Sequence, residues 1–192
     1  MPNIRENEDI YKELSKYANV TSEPIYSTVT YATSGNKAAT NFFDGSSTKT
    51  TTNLTKDREL PQGHKMIVEE IRVSVMPDVT LADLQEFLKD AVLEFAPNED
   101  ARPRYFPISM LGAGGGVSGA WSEATASDQY AVVNGQPQQN AVFKLRRPEV
   151  LRGGVPFVCK IHHPAAITPA AATKVTVILS GLYAYPAAQA AS

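Results

Sequence analysis

Gly114-Gly115-Gly116-Val117-Ser118-Gly119 has the spacing of a dinucleotide-binding fingerprint. That spacing works where glycines let the start of a helix approach a pyrophosphate, inside a strand–helix–strand alternation. Here residues 121–130 hold Ser, Thr and Asp without a helical apolar stripe, so the stretch reads as a loop between strands. The histidines are His64, His162 and His163. His162 and His163 are adjacent, and neighbours in a strand point to opposite faces. His64 falls in a turn, and no further ligand stands at metal-site spacing. No serine sits in a Gly-x-Ser-x-Gly elbow. Cys159 lies on the apolar parity of its segment and reads as a buried small hydrophobe. Glu69 and Glu70 adjoin in a strand, which splits them across faces. Asp83, Glu86 and Asp90 follow helix spacing and read as a solvated face. Arg102 and Arg104, then Arg146, Arg147 and Arg152, are the basic clusters, suited to phosphate or to a neighbour's carboxylates. These residues predict no catalytic site, no cofactor and no metal centre. The expectation is a protein that is not an enzyme and acts through its surfaces.

The elements that carry these residues come from a chain of 192 residues, long enough to bury a full core in one domain. Hydrophobic residues are 43% and charged residues 20%, a globular rather than a disordered balance. The net charge of -2 argues against strong direct nucleic-acid binding, because phosphate affinity comes mainly from Lys and Arg releasing counterions. The single cysteine excludes an internal disulfide and a thiolate zinc site. Met1 to Glu6 carry no apolar signal core, so no export signal is expected, and no apolar run is long enough to span a bilayer as a helix. Asn19-Val20-Thr21 and Asn53-Leu54-Thr55 match the glycosylation triplet by chance on this reading.

Ile10, Tyr11, Leu14, Tyr17 and Ala18 recur at three- and four-residue steps and predict a short amphipathic helix. Such a helix is marginal alone and needs a docking surface, either its own domain or a neighbouring subunit. Residues 24–31 and 65–75 read as strands. In the second, Met66 and Val68 lie on one parity and Ile71, Val73 and Val75 on the other, which predicts a bulge near Glu69-Glu70. The polar run 46–52 suits an exposed loop or an edge strand. A helix is expected over 80–91, capped by Thr80, with a strand over 92–95 directly after it. A short strand is expected over 108–111. Asn134-Gly135 signals a hairpin, with residues 141–145 as the returning strand. Residues 147–154 read as a loop, 155–161 as a strand, and 175–185 as a long final strand ended by Pro186. The fold class is therefore all-β with one or two short helices, a sandwich or a jelly roll.

Two stretches carry a resemblance. Leu60-Pro61-Gln62-Gly63-His64-Lys65-Met66-Ile67-Val68-Glu69-Glu70-Ile71-Arg72-Val73 looks like the start of an early jelly-roll strand in small phage capsid proteins. Arg147-Pro148-Glu149-Val150-Leu151-Arg152-Gly153-Gly154-Val155-Pro156-Phe157-Val158, followed by Lys174-Val175-Thr176-Val177-Ile178-Leu179-Ser180-Gly181-Leu182-Tyr183, looks like the closing strands. The chain resembles, over about half its length, the single jelly-roll capsid proteins of tailless icosahedral bacteriophages, often membrane-containing. The resemblance implies a shell-forming structural protein of the virion, made in the host cytoplasm, whose partners are copies of itself. A second capsid or penton protein and an internal membrane are further contacts that it allows. It implies no catalytic residues.

The expected organisation is an N-terminal arm over 1–22, a jelly-roll domain over 23–186 and a mobile tail over 187–192. Ile10, Tyr11, Leu14 and Tyr17 are the candidate inter-subunit contacts. Two other classes stay open. A binding module, such as a carbohydrate-binding sandwich or a phage tail or fibre domain, needs exposed aromatics, with Trp121, Tyr130, Tyr183 and Tyr185 as candidates. A cupin-like enzyme needs His and Glu at metal spacing.

Overall fold

The computed structural model describes residues 4–44, 48–75, 81–88, 90–112, 117–118, 133–134 and 142–186. In chain order the elements are α1 (Ile4–Lys12), a 3-10 turn (Glu13–Lys16), β1 (Asn19–Thr21), β2 (Ile25–Tyr31), β3 (Ala39–Asn41) and β4 (Lys65–Val75). Then come α2 (Leu81–Leu88), β5 (Val92–Ala96), β6 (Arg104–Pro107), a 3-10 turn (Ile108–Met110), β7 (Val117–Ser118) and β8 (Val133–Asn134). β9 (Lys144–Arg152), β10 (Val158–His162) and β11 (Thr173–Tyr185) complete the chain. The protein is an all-β sandwich of two main antiparallel sheets, with two short α-helices among the described residues.

The first sheet has the order β1-β11-β4-β9, with β2 also paired to β11, and the second has the order β3-β10-β5-β6. The pairings nest. β2 joins β11, β3 joins β10, β4 joins β9 and β5 joins β6. This is one long antiparallel hairpin whose successive rungs alternate between the sheets. Ladders β11·β4 and β10·β5 stitch the rungs of each sheet together. β7 and β8 form a separate two-stranded ribbon.

Alternation fills the space between the sheets. Val175, Val177 and Leu179 of β11 face Leu93 and Phe95 of β5 and Cys159 and Ile161 of β10 within one core cluster. Phe42, Phe43 and Phe157 are fully buried among them, with Phe43 and Phe157 edge to face at 5.2 Å. Each such side chain contributes about 1.5–3 kcal/mol on burial, opposed by the entropy of ordering the chain. The polar stretch 48–53 hooks onto the edge of the first sheet. Thr28 N donates to Thr51 O, Tyr26 N donates to Asn53 Oδ1, and Ser27 and Thr52 form a bridge. That covers an edge that would otherwise offer unpaired backbone groups.

The expected bulge is present. Opposite β11 the register steps from Glu70 to Val68, leaving Glu69 over, while Met66, Val68, Ile71 and Val73 all reach the core. Gly181 lies across from it, and a Cβ there would overlap the Ile67 carbonyl oxygen. Only glycine lets the backbones close on the bulge.

Several local expectations are corrected. Ile108–Met110 is a 3-10 turn, not a strand, and its Ile108 N donates to Ala91 O. Most of 147–154 belongs to β9, whose alternation is hidden because its register against β4 jumps between Glu149 and Lys144. Only Gly153 and Gly154 make the turn beyond it. Val133–Asn134 pairs with Val117–Ser118 rather than with 141–145. The bulge also keeps Glu69 and Glu70 out of the core, so they are not split across faces. Both line one depression on the outer surface. Asp83 is not solvated. It is buried, and its Oδ1 accepts from Ala170 N at 2.9 Å, while Glu86 and Asp90 are exposed. Thr80 and the tail 187–192 lie outside the described residues.

Candidate interaction surface around the N-terminal helix

The apolar stripe predicted for the N-terminal helix is seated on the outer face of the first sheet of its own chain. Leu14 is buried against Ile67 of β4 and Ala184 of β11, with Ile10, Tyr11 and Tyr17 packed beside Val150 and Leu182. All four candidate contact residues are therefore brought together, and the seat is intrachain. Pairing of β1 with Tyr183, Ala184 and Tyr185 ties the following residues to the same end of β11.

Polar contacts fix the helix at two points. Tyr11 Oη donates to Glu69 Oε1 at 2.5 Å. Burial, then this carboxylate, pushes the Tyr11 phenol up to about 12. Lys65 Nζ donates to Glu13 Oε2 and sits 5.6 Å above the Tyr17 ring. The Lys65 ammonium holds the Glu13 carboxyl below its ordinary range.

Residues of the helical segment line two depressions. The larger, about 520 Å³, is lined by Ile10 and Glu13 together with Arg104, Arg147, Glu149 and Arg152. Arg104 forms an ion pair with Glu149. The smaller, about 270 Å³, is lined by Tyr11, Glu69, Glu70, Lys144 and Arg146. There Arg72 pairs with Glu70 at 2.5 Å, and Lys144 stands 3.5 Å from the same carboxylate. The irregular register of β9 delivers these side chains, because Leu145 and Pro148 turn inward and leave Arg146 and Arg147 exposed between them. Two arginine clusters distant in sequence thus meet beside one helix. Arg102 is exposed and outside both depressions. The convergence of Arg104 with Arg147 and Arg152 was not legible from spacing, since it depends on β6 and β9 being edge strands of different sheets.

The remaining chemistry-bearing residues are dispersed. His162 Nε2 stands 2.6 Å from Glu94 Oε2 on the outer face of the second sheet. His163, on the opposite face, is buried against Tyr31 and Phe87 at ring distances of 5.7 and 6.0 Å. Neither of its ring nitrogens has a hydrogen-bond partner. Burial, and secondarily His162, hold its imidazole below the ordinary range. His64 Nδ1 lies 3.1 Å from Tyr183 Oη. Cys159 is fully buried, and burial raises its thiol far above the usual range. Among the described residues no three His, Cys, Asp or Glu side chains cluster as metal ligands. Among them also, no helix is long and apolar enough to cross a membrane. Val117–Ser118 of the glycine-rich motif are strand residues, where the dinucleotide fingerprint leads into a helix. Of the aromatics considered for ligand stacking, Tyr183 is buried in the core and Tyr185 packs on it at 4.8 Å. Trp121 and Tyr130 lie outside the described residues.

No protein family, curated protein or solved structure matches the chain.

Proposed function

We propose that the chain is a single jelly-roll capsid protein, a non-catalytic subunit that assembles with copies of itself into a closed shell around a genome. The observation that carries the reading is the nested pairing of β2 with β11, β3 with β10, β4 with β9 and β5 with β6. A hairpin rolled so that its rungs alternate between two sheets is the jelly-roll plan, shared by viral capsid, lectin and cupin domains. A fold alone does not choose among these, so the choice rests on the surfaces. A cupin uses the inside of its barrel for metal chemistry, and here that space is filled by Phe42, Phe43, Phe95 and Phe157. A lectin face needs several accessible aromatics, and among the described residues Tyr183 is spent on the core and Tyr105 is the one largely exposed ring. What this chain presents instead is an edge-strand surface of paired charges around a docked terminal helix, suited to repeated contact between copies.

Electron microscopy of the concentrated full-length protein tests this reading. Closed particles of uniform diameter are expected. Dispersed single chains that bind immobilised glycans would place the protein among binding modules instead.

A further inference from the structure

We infer that two copies of the chain join edge to edge through β1, antiparallel about a twofold axis at Val20, so that their first sheets run on as one. The inference rests on the self-association just proposed and names one contact that carries it. An edge strand offers a row of backbone N–H and C=O groups that another strand satisfies. Most edges of this sandwich are guarded. Residues 48–53 cover β2. β9 carries Pro148 in a run of charged side chains. β6 follows Pro103 and ends on Pro107. The chain leaving β3 is tied across to β2, Phe43 N donating to Ser27 Oγ at 2.8 Å. β1 has none of these devices. It holds no proline and no charge, its three residues are all exposed, and among the described residues its strand partner is β11 alone.

Opposite residues of a strand pair share a face. Val20 stands across from Ala184, which packs with Leu14 under the terminal helix. Val20 therefore lies on the outer face at the rim of that apolar cluster, and it is 42% exposed. The helical segment reaches away towards β9, where Ile10 meets the wall formed by Val150 and Arg152, and leaves the free side of β1 open. A twofold contact uses the same patch on both partners, and an antiparallel edge pair meets that demand by construction. The register centred on Val20 is the one that overlaps all three residues. It sets the two Val20 side chains against each other and Asn19 against Thr21. Like charges directly opposite would oppose such pairing, and β1 has none. The valine pair then carries the apolar patch of Leu14 and Tyr17 from one copy into the next. Three residues make a small contact, at the weak end of protein interfaces, and a shell strengthens it by repetition.

Cross-linking of the full-length protein carrying Val20→Cys tests the pairing. The native Cys159 is fully buried and stays out of the reaction. Directly opposite residues on paired strands have Cβ atoms about 4.5–5.5 Å apart, a small adjustment away from a disulfide. Under mild oxidation Val20→Cys is expected to form covalent dimers at least tenfold faster than Val155→Cys, which changes a comparably exposed valine elsewhere. Val20→Lys sets two ammonium groups face to face. It is expected to weaken association at least tenfold in sedimentation equilibrium while keeping the wild-type melting profile. If it melts early, the cross-linking rates decide alone. Equal rates from the two cysteine variants overturn the pairing, because random collision accounts for them. A Val20→Lys protein that melts and associates as wild type does also overturns it, and if that variant still forms shells the capsid reading stands without the pairing. A wild type monomeric at every concentration overturns both readings.

Discussion

Tyr11 Oη donates a hydrogen bond to Glu69, the residue that the bulge in β4 leaves unpaired. The bulge turns Glu69 away from the core, and the turned carboxylate then anchors the helix that covers the sheet's outer face. Replacing Tyr11 with Phe keeps the packing on Ile67 and removes the donor. The expected cost is about 0.5–1.5 kcal/mol, seen as faster proteolysis of the first 16 residues with the sandwich intact. The phenol sits at about 12 in the fold, against 10.0 ordinarily. Its contribution is complete below pH 10 and is lost as pH rises towards 12. Protection of the helix should fall across that window in wild type and change less in Tyr11→Phe.

Gly181 faces the same bulge from β11. Gly181→Ala drives a methyl group into the Ile67 carbonyl and must part the two central strands of the first sheet. A loss of about 3 kcal/mol or more is expected, a fall in Tm of roughly 6–12 °C for a chain of this size. A melting curve superimposable on wild type would show that the two strands do not close on the bulge as described.

His163 is neutral and without hydrogen-bond partners between Tyr31 and Phe87. Its pKa is lowered in the fold, so the unfolded chain takes up the proton first as pH falls below about 6.5. Stability is therefore full above that pH and declines below it, by up to about 1.4 kcal/mol per pH unit for this one group. His163→Phe keeps an aromatic ring in place and should flatten this part of the profile in urea titrations between pH 7 and pH 5. Parallel profiles for the two proteins would contradict the burial of a neutral ring.

Cys159 has no exposed surface and a strongly raised thiol pKa. It should resist an aromatic disulfide reagent in the folded protein and react fully in denaturant. Rapid labelling without denaturant would place β10 at the surface.

What the sequence made legible follows from period and parity. β2, β4 and β11 announce themselves by alternation, and the parity change between Val68 and Ile71 locates the bulge. The terminal helix is visible as a stripe, but the stripe does not say which copy of the sheet it covers. β9 was hidden because Pro148 and the four charges from Lys144 to Glu149 resemble a loop, and because its irregular register breaks the period. Asp83 matches a solvated helix face by spacing alone, and only the return of Ala170 onto α2 makes it a buried acceptor. The nested pairing could not be read at all. It joins residues as far apart as Thr28 and Thr176, whose hydroxyls meet at 2.8 Å, and no local pattern encodes such a partner. The meeting of Arg104 with Arg147 and Arg152 in one depression follows from that pairing.

Self-assembly is tested most directly by the mass of the purified full-length protein in solution. Light scattering coupled to size-exclusion chromatography, run over a range of concentrations, should resolve a discrete species many times the 20.8 kDa chain mass, growing at the expense of small oligomers. A single peak at the mass of one chain, unchanged at the highest concentration reached, would contradict self-assembly.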